Sequence, residues 1–132
     1  MIKMSTENFW EGAEIISTYT RKQAIEDGIL IDVSDAAKCA GIKHPTAITQ
    51  NLWCSWVAVP EGLEGLQDAS GRLWDVLWMF SVAARKAIND RLTYSVLFQT
   101  AEKRQQEVQL NAVCGPGDQG EPVITIMLPG DD

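Results

Sequence analysis

The hydrophobic pattern of this chain changes its period near residue 90. Between Pro45 and Pro60, apolar side chains recur every three or four positions, as on one face of a helix, and residues 73–84 are almost continuously apolar. Residues 92–98 instead alternate apolar and polar side chains, apart from Leu97, as in a half-buried strand. The pattern therefore predicts an α+β fold, with a helical N-terminal two thirds packed on a C-terminal sheet.

Capping residues and glycines mark the shorter elements. Thr20 precedes helix-forming residues and Gly28 follows them, whereas Ser34 and Gly41 bracket a second short helix. The expected helices are 21–27, 35–40, 45–59 and 71–89, and the expected strands are 29–33, 92–99, 107–112 and 123–128. The short connections after residue 90 favour antiparallel neighbours, so we expect a three- or four-stranded, mainly antiparallel sheet.

The length of 132 residues suits one domain with its own core. Residues 1–14 show no sustained period and are expected to form an N-terminal arm, which leaves 15–132 as a single α+β domain. Acidic residues outnumber basic ones, 18 to 11, for a net charge of −7. Such a balance disfavours binding to nucleic acid or to an anionic membrane, because affinity for phosphates comes from Lys and Arg.

Cysteine usage and the absence of long apolar runs indicate the compartment. The three cysteines are widely spaced, so no disulfide framework or zinc site is predicted. No stretch reaches the roughly 20 apolar residues that a membrane helix needs, and the first residues do not resemble a signal peptide. We therefore expect a reduced, cytoplasmic protein.

Familiar catalytic motifs are scarce. His44 is the only histidine, and Cys39 lies close enough in sequence to form a nucleophilic pair with it. We favour the interpretation that Cys39 is a small buried hydrophobic residue and that His44 is a turn residue before Pro45. Residues 115–120 match GxGxxG, but they join two predicted strands, so we interpret them as a hairpin loop. We predict no catalytic residue, no metal site and no cofactor.

Polar residues crowd one stretch, YTRKQAIEDGILIDVS, in which Arg21, Asp27 and Asp32 could line a pocket between a helix and the sheet. A second possibility is that polar and aromatic residues on the surface bind another protein. The candidate interface residues fall into three groups: two tryptophans that do not lie on a predicted core face, two acids of the glycine-rich loop, and three arginines of the locally basic stretch 85–104. They are Trp10, Trp53, Asp118, Glu121, Arg85, Arg91 and Arg104.

Three stretches, YTRKQAIEDGILIDVS, GRLWDVLWM and GPGDQGEPVITIMLPGDD, resemble a family of small uncharacterised proteins with a domain of unknown function, encoded on phages, plasmids and integrative elements. The resemblance implies an accessory factor that blocks a bacterial defence complex, as anti-CRISPR proteins do. We therefore expect a non-enzymatic protein-binding factor. The alternatives are a small enzyme acting on a nucleotide or peptide, and an oligomerising structural subunit whose sheet edge pairs with a second copy.

Overall fold

A computed structural model of the chain describes residues 19–65 and 67–131, and a five-stranded mixed sheet forms its centre. The strands are β1 (Leu30–Asp32), β2 (Thr46–Thr49), β3 (Arg91–Ala101), β4 (Arg104–Pro116) and β5 (Pro122–Met127). Their order across the sheet is β1-β2-β5-β4-β3. Strands β2 and β5 run parallel, and the other neighbours run antiparallel.

The helices lie on both faces of this sheet. They are α1 (Arg21–Glu26), α2 (Ser34–Cys39), α3 (Gln50–Leu52), which continues into a π-helical turn at Trp53–Val57, and α4 (Ala69–Ala84). Helix α4 packs on one face, where its apolar residues join alternate residues of β3, β4 and β5 in the main core. Thr125 faces away from this core, since side chains alternate along a strand, and it contacts α1 on the opposite face.

The predicted helix over 45–59 is wrong. Thr46–Thr49 forms β2, and only residues from Gln50 onward are helical. The sequence TAIT contains three β-branched residues, which favour a strand, and both of its faces are buried. The three- and four-residue spacing therefore joins a strand residue, Ile48, to residues of the following helical turns by coincidence.

The prediction that the N-terminal two thirds is helical is also wrong, because strands lie where helices or loops were expected to dominate. The α+β class holds, but the sheet has five strands and draws two of them, β1 and β2, from the N-terminal half of the chain. The strand predicted at 29–33 is present as β1, and those predicted after residue 90 are present as β3, β4 and β5. The missed strand, β2, also brings in the parallel pairing with β5.

Candidate functional site

Helix α4 carries a pair of exposed tryptophans. Its buried face consists of Arg72, Leu73, Val76, Leu77 and Phe80, at the spacing of one helical face. Trp74 and Trp78 fall on the opposite side, and each is 41% exposed. Their rings stack with centroids 5.8 Å apart and planes inclined by 13°.

The exposed apolar surface continues sideways from this pair. Met79, also exposed, lies next to Trp78 on α4 and lines a cleft of about 290 Å³ with Leu97 of β3. We call Trp74, Trp78, Met79 and Leu97 the aromatic face. Large exposed apolar side chains that cluster in this way are typical of interaction surfaces in monomeric proteins.

Acidic side chains surround the aromatic face. Asp75 and Glu107 line the cleft beside Met79, and Glu64 and Asp68 line a second cleft, of about 590 Å³, beside Trp74. Burial raises the pKa of Asp75, and the nearby charge of Arg72 partly offsets that rise. The surface around the tryptophans therefore favours a cationic neighbour over an anionic one.

This face is absent from the interface residues predicted from the sequence, whose tryptophans are Trp10 and Trp53. The segment from Leu73 to Ala84 is apolar almost all round, so periodicity alone does not say which side is buried. One signal was available: Leu73, Val76, Leu77 and Phe80 form one helical face by themselves and leave positions 74 and 78 outside it.

The predicted Arg21 pocket is partly assembled. Arg21 and Asp32 line one cleft of about 270 Å³, together with Asp118 and Glu121. The guanidinium of Arg21 is already engaged, since Nη1 donates to Thr125 Oγ1 at 2.7 Å and Nη2 donates to the Ile124 carbonyl at 2.8 Å. Burial lowers the pKa of Arg21, and the surrounding carboxylates oppose that effect.

The carboxylates around Arg21 also serve the fold. Asp32 Oδ1 accepts the Ser34 N–H at 3.0 Å and so caps α2, whose N-cap residue makes no side-chain bond. Asp27 lies at the other end of α1 and accepts a hydrogen bond from the Tyr19 hydroxyl at 2.7 Å. Asp27 is therefore not part of the cleft that Arg21 and Asp32 share.

The two acids of the glycine-rich loop bind backbone groups. Asp118 accepts the N–H groups of Arg21 at 2.8 Å and Lys22 at 3.0 Å, and Glu121 Oε1 accepts the Gln119 N–H at 2.9 Å. Residues 116 and 122 pair across antiparallel strands, so the GxGxxG segment is a hairpin loop. The hairpin interpretation of this motif is confirmed.

The other candidate interface residues are dispersed. Trp53 is half-buried and packs against the core, and Trp10 lies outside the described residues. Arg91 is exposed at the start of β3, and Arg104 is exposed at the β3–β4 hairpin. Arg85 is exposed at the end of α4, beside a separate cavity.

The lining of that cavity bears on whether His44 and Cys39 form a nucleophilic pair. The histidine lines it together with Cys114 of β4, and Cys39 is not among the lining residues. All three cysteines are free thiols, with Cys39 and Cys54 exposed and Cys114 half-buried. No cluster of three or more His, Cys, Asp or Glu side chains suited to a metal ion occurs within 19–65 and 67–131.

A family model matches residues 6–132, described as a family of unknown function (DUF6573). The chain belongs to this family. No curated protein and no solved structure matches it significantly. The match covers the three stretches on which the resemblance rested, so the membership is established while the family description supplies no activity.

The remaining predictions concern partners and the membrane. In the part of the chain that the structure describes, no helix is both long and apolar enough to cross a bilayer. β3 forms one edge of the sheet and β1 the other, so the predicted pairing with a second copy has an edge strand to use. That pairing, like the enzymatic alternative, stays a prediction.

Proposed function

We propose that this protein is a non-enzymatic protein-binding factor that docks a basic, apolar surface of its partner on the aromatic face. The observation that carries the proposal is the stacked, exposed pair of Trp74 and Trp78. Tryptophan is enriched among residues that dominate binding energy, because a large ring buries much area with few rotatable bonds.

The acids around the face define the partner's chemistry. Glu64, Asp68, Asp75 and Glu107 lie in the two clefts that flank the apolar residues. A partner that places Lys or Arg at this rim gains electrostatic attraction, and a cation above an indole ring gains a cation–π contact as well. The partner surface is therefore basic with at least one apolar side chain between its cations.

The narrower form of the proposal comes from the sequence resemblance. It describes an accessory factor of a phage, plasmid or integrative element that acts in the cytoplasm of a bacterial host and inhibits a defence complex. Proteins that handle nucleic acid carry basic surfaces, since Lys and Arg neutralise phosphates, and a basic surface is what the rim of the aromatic face fits.

Site-specific photo-crosslinking in bacterial cells tests the docking surface. A photoreactive residue at position 78 is expected to give a discrete adduct with a partner, and unlabelled wild-type protein competes that adduct away. The same residue at position 88 is the matched control, since Ile88 is 94% exposed but lies beyond the end of α4. Equal labelling at both positions, or none at 78, contradicts the proposal.

A functional assay tests the narrower form. Plasmid or phage survival is measured in a host with an active defence system, with wild type, Trp74→Ala/Trp78→Ala and Ile88→Ala. We expect that only the double variant loses protection, and circular dichroism checks that it is folded. In the crosslinking experiment, Asp75→Asn is expected to weaken the crosslinked complex without unfolding the protein.

If the wild-type protein does not change phage or plasmid survival in any defended host, the anti-defence role is contradicted. The crosslinking experiment still tests the docking surface separately.

A further inference from the structure

A second feature of the molecule, which shares no lining residue with the aromatic face, is a cavity of about 480 Å³ at one end of the sheet. The C-terminal half of α4 forms one wall, the ends of β4 and the starts of β3 and β5 form the base, and residues 40–44 close the third side. Its volume lies within the roughly 300–1,000 Å³ of typical small-molecule sites.

The interior of this cavity is apolar. Side chains from each of its walls line it, and most of them are buried: Ile42, Phe80, Ala84, Leu92, Ala112 and Ile124. An apolar body that enters the cavity leaves water and contacts these side chains, which is the main source of affinity for small ligands in such sites.

The mouth of the cavity carries two cations. Lys43 and Arg85 both line it, and neither side chain has a hydrogen-bond or ion-pair partner among residues 19–65 and 67–131. One acid, Asp90, lies at the same mouth. Two cations against one carboxylate give a locally positive entrance in a chain whose net charge is −7.

Helix α4 limits how much negative charge the site accepts. It ends at Ala84, so its last carbonyl groups, which carry the negative end of the helix dipole, lie at the same wall. Together with Asp90, this end of the helix opposes a dianion such as a phosphate monoester. A ligand with one negative charge matches the two cations without that repulsion.

We propose that this cavity binds a small organic monoanion with an apolar body, such as an aromatic or branched-chain carboxylate. The apolar body occupies the space under Phe80 and Leu92, and the carboxylate lies between Lys43 and Arg85. This inference does not depend on the proposed protein-binding role, because none of the aromatic-face residues lines the cavity.

Titration with 2-naphthoate, followed by NMR and calorimetry, tests the inference. We expect saturable binding with shifts confined to the cavity residues. The uncharged analogue 2-naphthalenemethanol and the dianion 2-naphthyl phosphate are each expected to bind at least fivefold more weakly. Equal binding of the uncharged compound, or no binding of 2-naphthoate at millimolar concentration, overturns the proposal.

The lining residues give matched variants. Arg85→Gln and Lys43→Gln are each expected to weaken 2-naphthoate binding about fivefold to tenfold. Lys86→Gln is the control, since Lys86 is an exposed cation next to Arg85 that does not line the cavity. An equal loss in Lys86→Gln means that only net charge matters and contradicts the assigned site.

Cys114 provides an independent readout. In a Cys39→Ser/Cys54→Ser background, the half-buried thiol of Cys114 is the only one left to react with a maleimide. Because Cys114 lines the cavity, 2-naphthoate is expected to slow this reaction in the Cys39→Ser/Cys54→Ser protein. It is not expected to slow the reaction when Ala84→Phe is added to that background, because the new ring fills the cavity. Unchanged reactivity with saturating 2-naphthoate places the ligand elsewhere and overturns the proposal.

Discussion

Arg72 is a charged side chain that the fold buries to 3% exposure. Its Nε donates to the Trp56 carbonyl at 2.7 Å, and its Nη1 donates to Gln67 Oε1 at 2.7 Å and to the Gln99 carbonyl at 2.9 Å. Arg72→Ala is expected to lower the free energy of unfolding by about 3 kcal/mol, because it leaves buried acceptors without donors. Urea denaturation followed by circular dichroism measures this loss.

Two further variants separate the geometry of Arg72 from its charge. Arg72→Lys keeps the charge but lacks the planar fork that reaches three acceptors, so we expect it to recover less than half of the lost stability. Lys86→Ala removes an exposed cation about four helical turns along the chain from Arg72 and is expected to change stability by less than about 0.5 kcal/mol. An Arg72→Ala protein as stable as Lys86→Ala contradicts the assigned role.

Asp131 is a residue whose contacts predict a pH dependence. Burial alone raises its pKa, but hydrogen bonds from Asn51, Thr49 and the Leu128 N–H outweigh that effect and lower the pKa below its ordinary value of 3.8. A lowered pKa in the folded state adds stability above pH 3.8, and that stability is lost as the pH falls through the lower value.

Asp131→Asn is therefore expected to be less stable than wild type at pH 7, by about 1 kcal/mol, and the difference narrows as the pH falls below 3.8. Free energies of unfolding measured in urea between pH 7 and pH 2.5 check this expectation. Parallel pH profiles for the two proteins contradict it.

At the scale of elements, α1 depends on a distant loop. A six-residue helix is not stable alone, and α1 has two sources of N-terminal support: the Thr20 capping box and the Asp118 carboxylate from the β4–β5 loop. Asp118→Ala is expected to cost about 1–2 kcal/mol and to speed amide exchange at Arg21 and Lys22. Glu107→Ala, an exposed acid of β4 outside the loop, is expected to leave that exchange unchanged.

The elements also show what the sequence could predict. A continuous apolar run located β5, whose two faces are both largely buried. Alternation located β3 and β4, because each of these two strands has a different environment on its two faces. β2 has no such contrast, since both of its faces are buried, and its four residues resemble the start of a helix by spacing. The pattern of one segment does not reveal a partner strand 78 residues further along the chain, at which Thr46 pairs with Ile124, and this pairing is what stabilises β2.

The candidate sites were harder to predict than the strands. The aromatic face required knowing which side of an all-round apolar helix is buried, and that depends on how α4 lies against β3. The cavity draws its walls from residues 40–44, 80–92, 112–114 and 124, so only the tertiary fold brings them together. The Arg21 cluster was partly predictable because Arg21 and Asp32 are close in sequence as well as in space.

At the scale of the whole molecule, β5 joins the two halves of the chain. Ile126 of β5 is fully buried, opposite Ile48 of β2 and Ala112 of β4. Ile126→Ala is expected to lower the free energy of unfolding by about 3–4 kcal/mol, a large part of what a domain of this size has. Leu97→Ala, at an exposed position of β3, is expected to change it by less than about 0.5 kcal/mol.

The position of β5 also predicts how the Ile126→Ala protein unfolds. Because β1 and β2 contact the β3–β4 hairpin in the sheet only through β5, weakening β5 destabilises both sides at once and not one side alone. We therefore expect one cooperative urea transition, with the same midpoint for tryptophan fluorescence and for far-ultraviolet circular dichroism. Hydrogen exchange is expected to rise in β2 and β4 by the same factor. A variant whose β3–β4 hairpin keeps wild-type protection while β2 exchanges freely contradicts this central role of β5.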